Sequence, residues 1–229
     1  LYQNTTGASN TAVGESSLYH NTTGIRNTAI GYQALLSATT ASNNTAVGAF
    51  AGDSTTTGIN NTFIGYDTAP ANTTGDNNVS LGSGSLHANT TADNNTAIGY
   101  SALYANTTGA GNTAVGGTAL SLNTTAANNT AMGHSALKVN TTGHSNVALG
   151  KNALNDNTTA SYNTSVGTYS MDKTTTGSLN TAVGYQALEL NTTGHSNLAA
   201  GYHALKANTT GSYNIAVGSA ALDDNTTGG

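Results

Sequence analysis

The sequence predicts an all-β parallel solenoid, a β-roll with one coil for each 17-residue repeat. Three observations predict it. The chain repeats every 17 residues from Asn4, 13 times without insertion or deletion, and a partial copy follows at 225–229. Glycine stands at one fixed place in all 13 full copies. Charge is excluded from most of the unit. A short fixed period marks units that stack on their neighbours and cannot stand alone. A frame kept this strictly registers each residue against its equivalent one copy away.

The full copies span residues 4–224 and read as one array, with no linker or shift of composition inside it. The array reads as a segment of a longer fibrous protein. Only 7% of residues are charged and the net charge is −5, which excludes a nucleic-acid partner that needs a basic stripe. There is no cysteine and so no disulfide framework. No long apolar run or Lys/Arg cluster points to a membrane in this segment.

The unit reads N-T-T-G-x-x-N-T-A-V-G-Y-x-A-L-x-x, numbered here from position one. At position one, Asn4, Asn21, Asn72, Asn89, Asn106, Asn123, Asn140, Asn157, Asn191, Asn208 and Asn225 are each followed by two threonines. Each is an N-x-T sequon, and Asn43, Asn60, Asn94 and Asn128 add further ones in the turns. Two readings stand side by side: Asn and Thr recur because they ladder and turn well, or the fibre carries glycan. Position four is Gly but accepts Ala at Ala41, Ala92, Ala126 and Ala160, so it needs no positive φ. A turn is expected over positions four to six.

Position seven is invariant: Asn10, Asn27, Asn44, Asn61, Asn78, Asn95, Asn112, Asn129, Asn146, Asn163, Asn180, Asn197 and Asn214. An in-register ladder is predicted, each amide bonding its equivalent in the adjacent coils. The stretch N-T-A-V-G then alternates, with positions eight and ten pointing one way and nine and eleven the other. This predicts a strand over seven to eleven. Glycine at eleven never varies: Gly14, Gly31, Gly48, Gly65, Gly82, Gly99, Gly116, Gly133, Gly150, Gly167, Gly184, Gly201 and Gly218. That fits a left-handed turn or a backbone approach with no room for Cβ.

At position twelve, Tyr32, Tyr66, Tyr100, Tyr185 and Tyr202 form a discontinuous stripe. It either shields the turn at twelve and thirteen, with hydroxyls in water, or stacks on surface carbohydrate or a receptor. A second strand is expected from fourteen round to three. Aliphatic side chains at ten (Val13, Ile30, Leu81, Met132) and Leu at fifteen are expected to form a thin continuous core. Phe63 at nine, and Gly52 and Ala69 at fifteen, are the outliers. Small residues at nine and fourteen indicate close packing there.

Chemistry is sparse. The six histidines scatter over the unit; His144 and His195 share position five three coils apart, too far to share an ion. Asp53, Asp76, Asp156 and Asp223 do not recur in calcium-roll spacing, and no phosphate loop is complete. A ladder places like groups in rows, whereas an enzyme converges unlike groups on one cavity. No catalytic, metal or cofactor site is predicted.

The stretch Thr192-Thr193-Gly194 to Ala204 resembles the head repeats of trimeric autotransporter adhesins, with Asn180 to Gly184 in place of their S-x-A-x-G core. It is also similar to repeats of bacteriophage tail fibres. The resemblance implies a parallel β-roll whose three chains pack into a trimer at a cell or virion surface, with positions nine and fourteen suited to the contact between chains. The period of 17 is longer than is usual in such heads. The expected function is a structural or adhesive extracellular fibre element that self-associates. A free, glycosylated filament is one alternative. An ice-binding threonine solenoid is another, disfavoured because adjacent Thr-Thr side chains point to opposite sides.

Overall fold

A computed structural model describes residues 1–228; Gly229, the last residue of the partial copy, lies outside the described residues. The chain divides into two compact units, Leu1–Asn112 and Thr113–Gly229. The first holds strands β1 (Thr11–Val13), β2 (Thr28–Ile30), β3 (Thr45–Val47), β4 (Thr62–Ile64), β5 (Val79–Leu81) and β6 (Thr96–Ile98). The second holds β7 (Thr113–Val115), β8 (Thr130–Met132), β9 (Val147–Leu149), β10 (Thr164–Val166), β11 (Thr181–Val183), β12 (Leu198–Ala200) and β13 (Ile215–Val217).

Within each unit, consecutive strands pair in parallel with no slip of the frame. Thr11 pairs with Thr28 and Ala12 with Ala29; Thr164 pairs with Thr181 and Ser165 with Ala182. Each unit is thus an all-β solenoid with one 17-residue coil per copy, as the repeat predicts.

The alternation is as expected, but the face turned inward is the other one. Ala29 at position nine is fully buried, whereas Ile30 at ten is 39% exposed. Val13, Leu81, Met132, Val183 and Val217 are likewise exposed. The expected core of ten plus fifteen is therefore corrected: alanines at nine and fourteen enclose the leucines at fifteen. Ala29, Ala34 and Leu35 show the set, all fully buried. The small residues at nine and fourteen line the interior and are not the contact between chains. A coil of 17 residues leaves room for one Leu against two Ala, and polar intruders must pair. Buried Thr68, Ser80 and Ser85 do so, at 2.6–3.1 Å between hydroxyls.

The second strand is also corrected. Positions fourteen to three carry no strand among the described residues. Their backbone still bonds from coil to coil, as in Leu18 N–H to Ala34 O at 3.1 Å and Thr22 N–H to Thr39 O at 2.9 Å. What breaks the extended run is chirality. Positions thirteen and fifteen are left-handed in every copy, for example Gln33 (φ 57°) and Leu35 (φ 49°), and position six is too, as in Asn43 (φ 60°). A non-glycine residue there costs about 1–2 kcal/mol, so stacking of coil on coil has to hold it.

Glycine eleven meets both of its expected demands. Gly82 has φ +135°, and a Cβ there would stand 2.6 Å from Gly99 O in the next coil. Position four has no positive φ, as its tolerance of Ala implies.

Candidate functional surfaces: asparagine ladders inside, threonine and tyrosine rows outside

Two asparagine ladders run along the coils. At position seven the side chain braces backbone more than it bonds its own kind. Asn61 N–H donates to Asn44 Oδ1 at 2.9 Å, and Asn61 Nδ2 donates to Gly75 O, position four of the next copy, at 2.8 Å. Direct amide-to-amide bonds occur in some coils, as from Asn44 Nδ2 to Asn27 Oδ1 at 3.2 Å and from Asn214 Nδ2 to Asn197 Oδ1 at 3.1 Å.

The side-chain ladder proper stands at position one. Asn89 Nδ2 donates to Asn72 Oδ1 at 2.9 Å, and Asn157 Nδ2 to Asn140 Oδ1 at 2.7 Å. The same nitrogen reaches the carbonyl at position four of its own copy, as from Asn89 to Ala92 O at 3.1 Å. Both ladders therefore converge on one carbonyl and pin the turn that follows.

This placement corrects the reading of position one as a glycan acceptor. Asn21, Asn72, Asn89, Asn106, Asn123, Asn140, Asn157, Asn191 and Asn208 are fully buried. A buried amide engaged by its neighbours offers no nitrogen to a sugar. Asn4 is exposed and Asn225 half-buried. The turn sequons Asn43, Asn60, Asn94 and Asn128 are exposed. The motif could not separate the two sets, because burial comes from the coil and not from the tripeptide.

The two threonines divide their work. At position two the hydroxyl donates to the next coil's carbonyl, as from Thr22 to Thr39 O at 3.0 Å and from Thr141 to Thr158 O at 2.9 Å. At position three the side chain is exposed in each coil, from Thr23 to Thr108 in the first unit and from Thr125 to Thr210 in the second. One threonine per coil thus faces water at this corner. At position five, Ser or Asp caps a backbone N–H of the preceding coil, as Asp76 does for Ile59 and Asp93 for Asp76, both at 2.7 Å.

Tyr32, Tyr66, Tyr100, Tyr185 and Tyr202 are all exposed, on the corner after glycine eleven. They meet aromatic residues at position thirteen that the stripe omitted: Tyr32 and Tyr66 flank Phe50, and Tyr169 meets Tyr185 edge-on. Left-handed backbone at thirteen turns those rings to the same corner. Charges lie on the turns. Lys173 Nζ sits 3.0 Å from both Asp156 and Asp172, and His87 lies 3.2 Å from Asp67. Burial raises the Asp172 carboxyl above its ordinary range, opposed by its bond from Lys173. Among the described residues no group of three or more His, Cys, Asp or Glu is placed to hold a metal ion. No helix among them is long and apolar enough to cross a membrane.

Comparison with known proteins leaves the geometry to speak for itself: no family model, no curated protein and no solved structure matches the chain.

Proposed function

We propose that the chain is a structural, non-catalytic element of an extracellular or surface fibre, whose coils self-associate through the outward faces of their strands and display their turns. The exposed aliphatic row at position ten carries this reading. Ile30 and Leu81 in the first unit, and Met132 and Val183 in the second, stand open on a face free of charge. Apolar side chains repeated coil after coil on one face mark an interaction surface. A surface with a fixed rise per coil is matched best by another copy of itself.

Two features favour this over ice binding, for which position three offers a single exposed threonine row. Position two spends its hydroxyl on the backbone, and the strand face varies from Ala200 to Met132, so it is not flat. The resemblance to adhesin heads favours three copies and a place on a cell or virion.

Sedimentation of the chain tests the reading. The expected result is a discrete oligomer that dissociates when Leu149 and Val183 are both changed to Lys, with the far-ultraviolet spectrum preserved. A monodisperse monomer, or a variant that stays assembled, would contradict it.

A further inference from the structure

We propose that the aromatic corner binds a neutral, hydroxyl-rich glycan chain along the coils. The proposal rests on the reading of the turns as displayed surface and adds the chemistry of what they meet.

Each unit carries one aromatic group built over three successive copies. In the first, Phe50 meets Tyr32 at 5.3 Å and Tyr66 at 6.1 Å between centroids, both edge-on. In the second, Tyr185 and Tyr202 stack at 5.7 Å with 12° between planes, and Tyr169 abuts Tyr185 edge-on at 6.5 Å. His203 stacks on Tyr202 at 3.8 Å, and its Nε2 lies 2.8 Å from Gln186 Oε1.

The rings are open to a ligand, with Tyr66 60% and Tyr202 53% exposed. They are also held in place. Phe50, Tyr169 and His203 sit in left-handed backbone of φ 56–60°, two residues after a glycine registered against the coils on either side. A rigid aromatic platform loses little entropy on binding.

The surroundings select the ligand. The rings stand on a turn at the surface and not in a concave pocket, which disfavours a small apolar molecule. Lys151 Nζ lies 5.9 Å from the Tyr169 ring and Lys206 is paired with Glu189 at 3.7 Å, which in a chain of net charge −5 disfavours an anionic polymer. The tyrosine hydroxyls, Gln33, Gln186 and Thr168 add neutral polar groups, and the nearby carboxylates, Asp67 after Tyr66 and Glu189 accepting from Gln186 Nε2 at 2.9 Å, further disfavour an anion. Sugar rings present an apolar C–H face to an aromatic face and hydroxyls to such neighbours. Coils rise about 4.8 Å each, close to the length of one sugar ring, so an extended chain can meet one coil per sugar.

The test is an array of neutral oligosaccharides probed with the whole chain, followed by titration calorimetry on the best glucan, galactan or N-acetylglucosamine oligomer. Millimolar or tighter binding that strengthens from two to four rings is expected. Tyr185→Ala with Tyr202→Ala should weaken it about tenfold or more. Tyr202→Phe, which keeps the ring, should retain most of it. Tyr162→Ala, an exposed tyrosine at position six, should leave it unchanged. Failure to bind any neutral glycan, equal loss with Tyr162→Ala, or preference for anionic polymers or single-stranded nucleic acid would overturn the proposal. Sedimentation of the same samples keeps the outcomes apart: an assembled chain that ignores glycans sinks this proposal alone, and a monomer that binds them sinks only the assembly.

Discussion

Phe63 fills the space that Gly52 leaves open: a Cβ on Gly52 would lie 2.5 Å from Phe63 Cδ2 and 2.9 Å from Cε2. Gly52 stands where most copies have Leu, and it keeps the same left-handed backbone, at φ 59°. The interior admits one large side chain per coil. When position nine takes it, position fifteen gives it up, and Ala69 in the coil of Phe63 lacks the leucine as well.

Gly52→Leu adds a left-handed backbone cost of about 1–2 kcal/mol, which cancels in a double-mutant cycle, to the steric conflict with Phe63. It is expected to cost about 1–3 kcal/mol by overpacking, and Phe63→Ala about 3–5 kcal/mol by leaving a cavity. The double variant should cost less than the two added, with a coupling of about 0.5–3 kcal/mol in chemical denaturation. Strict additivity would show that the two residues do not share a site.

The ladder at position one is broken where Ala38, Thr55 and Thr174 replace Asn. The breaks leave orphans: Asn21 Oδ1, below Ala38, and Asn157 Oδ1, below Thr174, are buried without a hydrogen-bond partner, as is Thr174 Oγ1. Thr174→Asn would supply a donor to Asn157 and an acceptor to Asn191 Nδ2, which now reaches only Gly194 O at 3.0 Å. An unmade buried bond costs about 1–3 kcal/mol, so this substitution should stabilise by a similar amount. A lowered melting temperature would contradict the ladder.

Much of this was legible, and the gaps have physical causes. The coil length, the parallel stacking and the demand for glycine at eleven follow from the frame. Alternation of Thr28, Ala29 and Ile30 told which residues share a face but not which face is inside. Hydrophobicity pointed to Ile30; volume decided for Ala29. Phe63 and Gly52 held the clue, since an outlier at nine that coincides with a lost leucine marks both as interior. The second strand expected over fourteen to three does not form, and Leu35 gives no sign of left-handed backbone in the sequence because its side chain is chosen for burial. The signal is in rare glycines. Gly111, Gly84 and Gly52 stand at positions six, thirteen and fifteen, the three places where other residues adopt φ near 60°.

The Asp172–Lys173 pair should give the chain a pH signature. Burial raises the Asp172 pKa above its usual 3.8, so its charge costs stability at neutral pH, and that cost is relieved as pH falls through the folded value toward 3.8. The bond to Asp172, then that to Asp156, raises Lys173 above 10.5. Its contribution is present below 10.5 and is lost as pH rises through the folded value. Asp172→Asn should remove the relief on the acid side and shrink the alkaline loss. Melting curves that keep the native pH dependence in this variant would count against the pair.

In-register stacking of one coil per copy can be tested most directly by crosslinking, because the chain has no cysteine of its own. Thr142, Thr159 and Thr176 stand exposed at position three of successive coils. Equivalent residues one coil apart should lie about 4.8 Å apart, within the 4.4–6.8 Å that a disulfide spans; two coils apart, about 9.6 Å is too far. Under mild oxidation, Thr142→Cys with Thr159→Cys should close an intramolecular disulfide, and Thr142→Cys with Thr176→Cys should not. Equal crosslinking of both pairs, or closure of the second alone, would contradict the 17-residue coil.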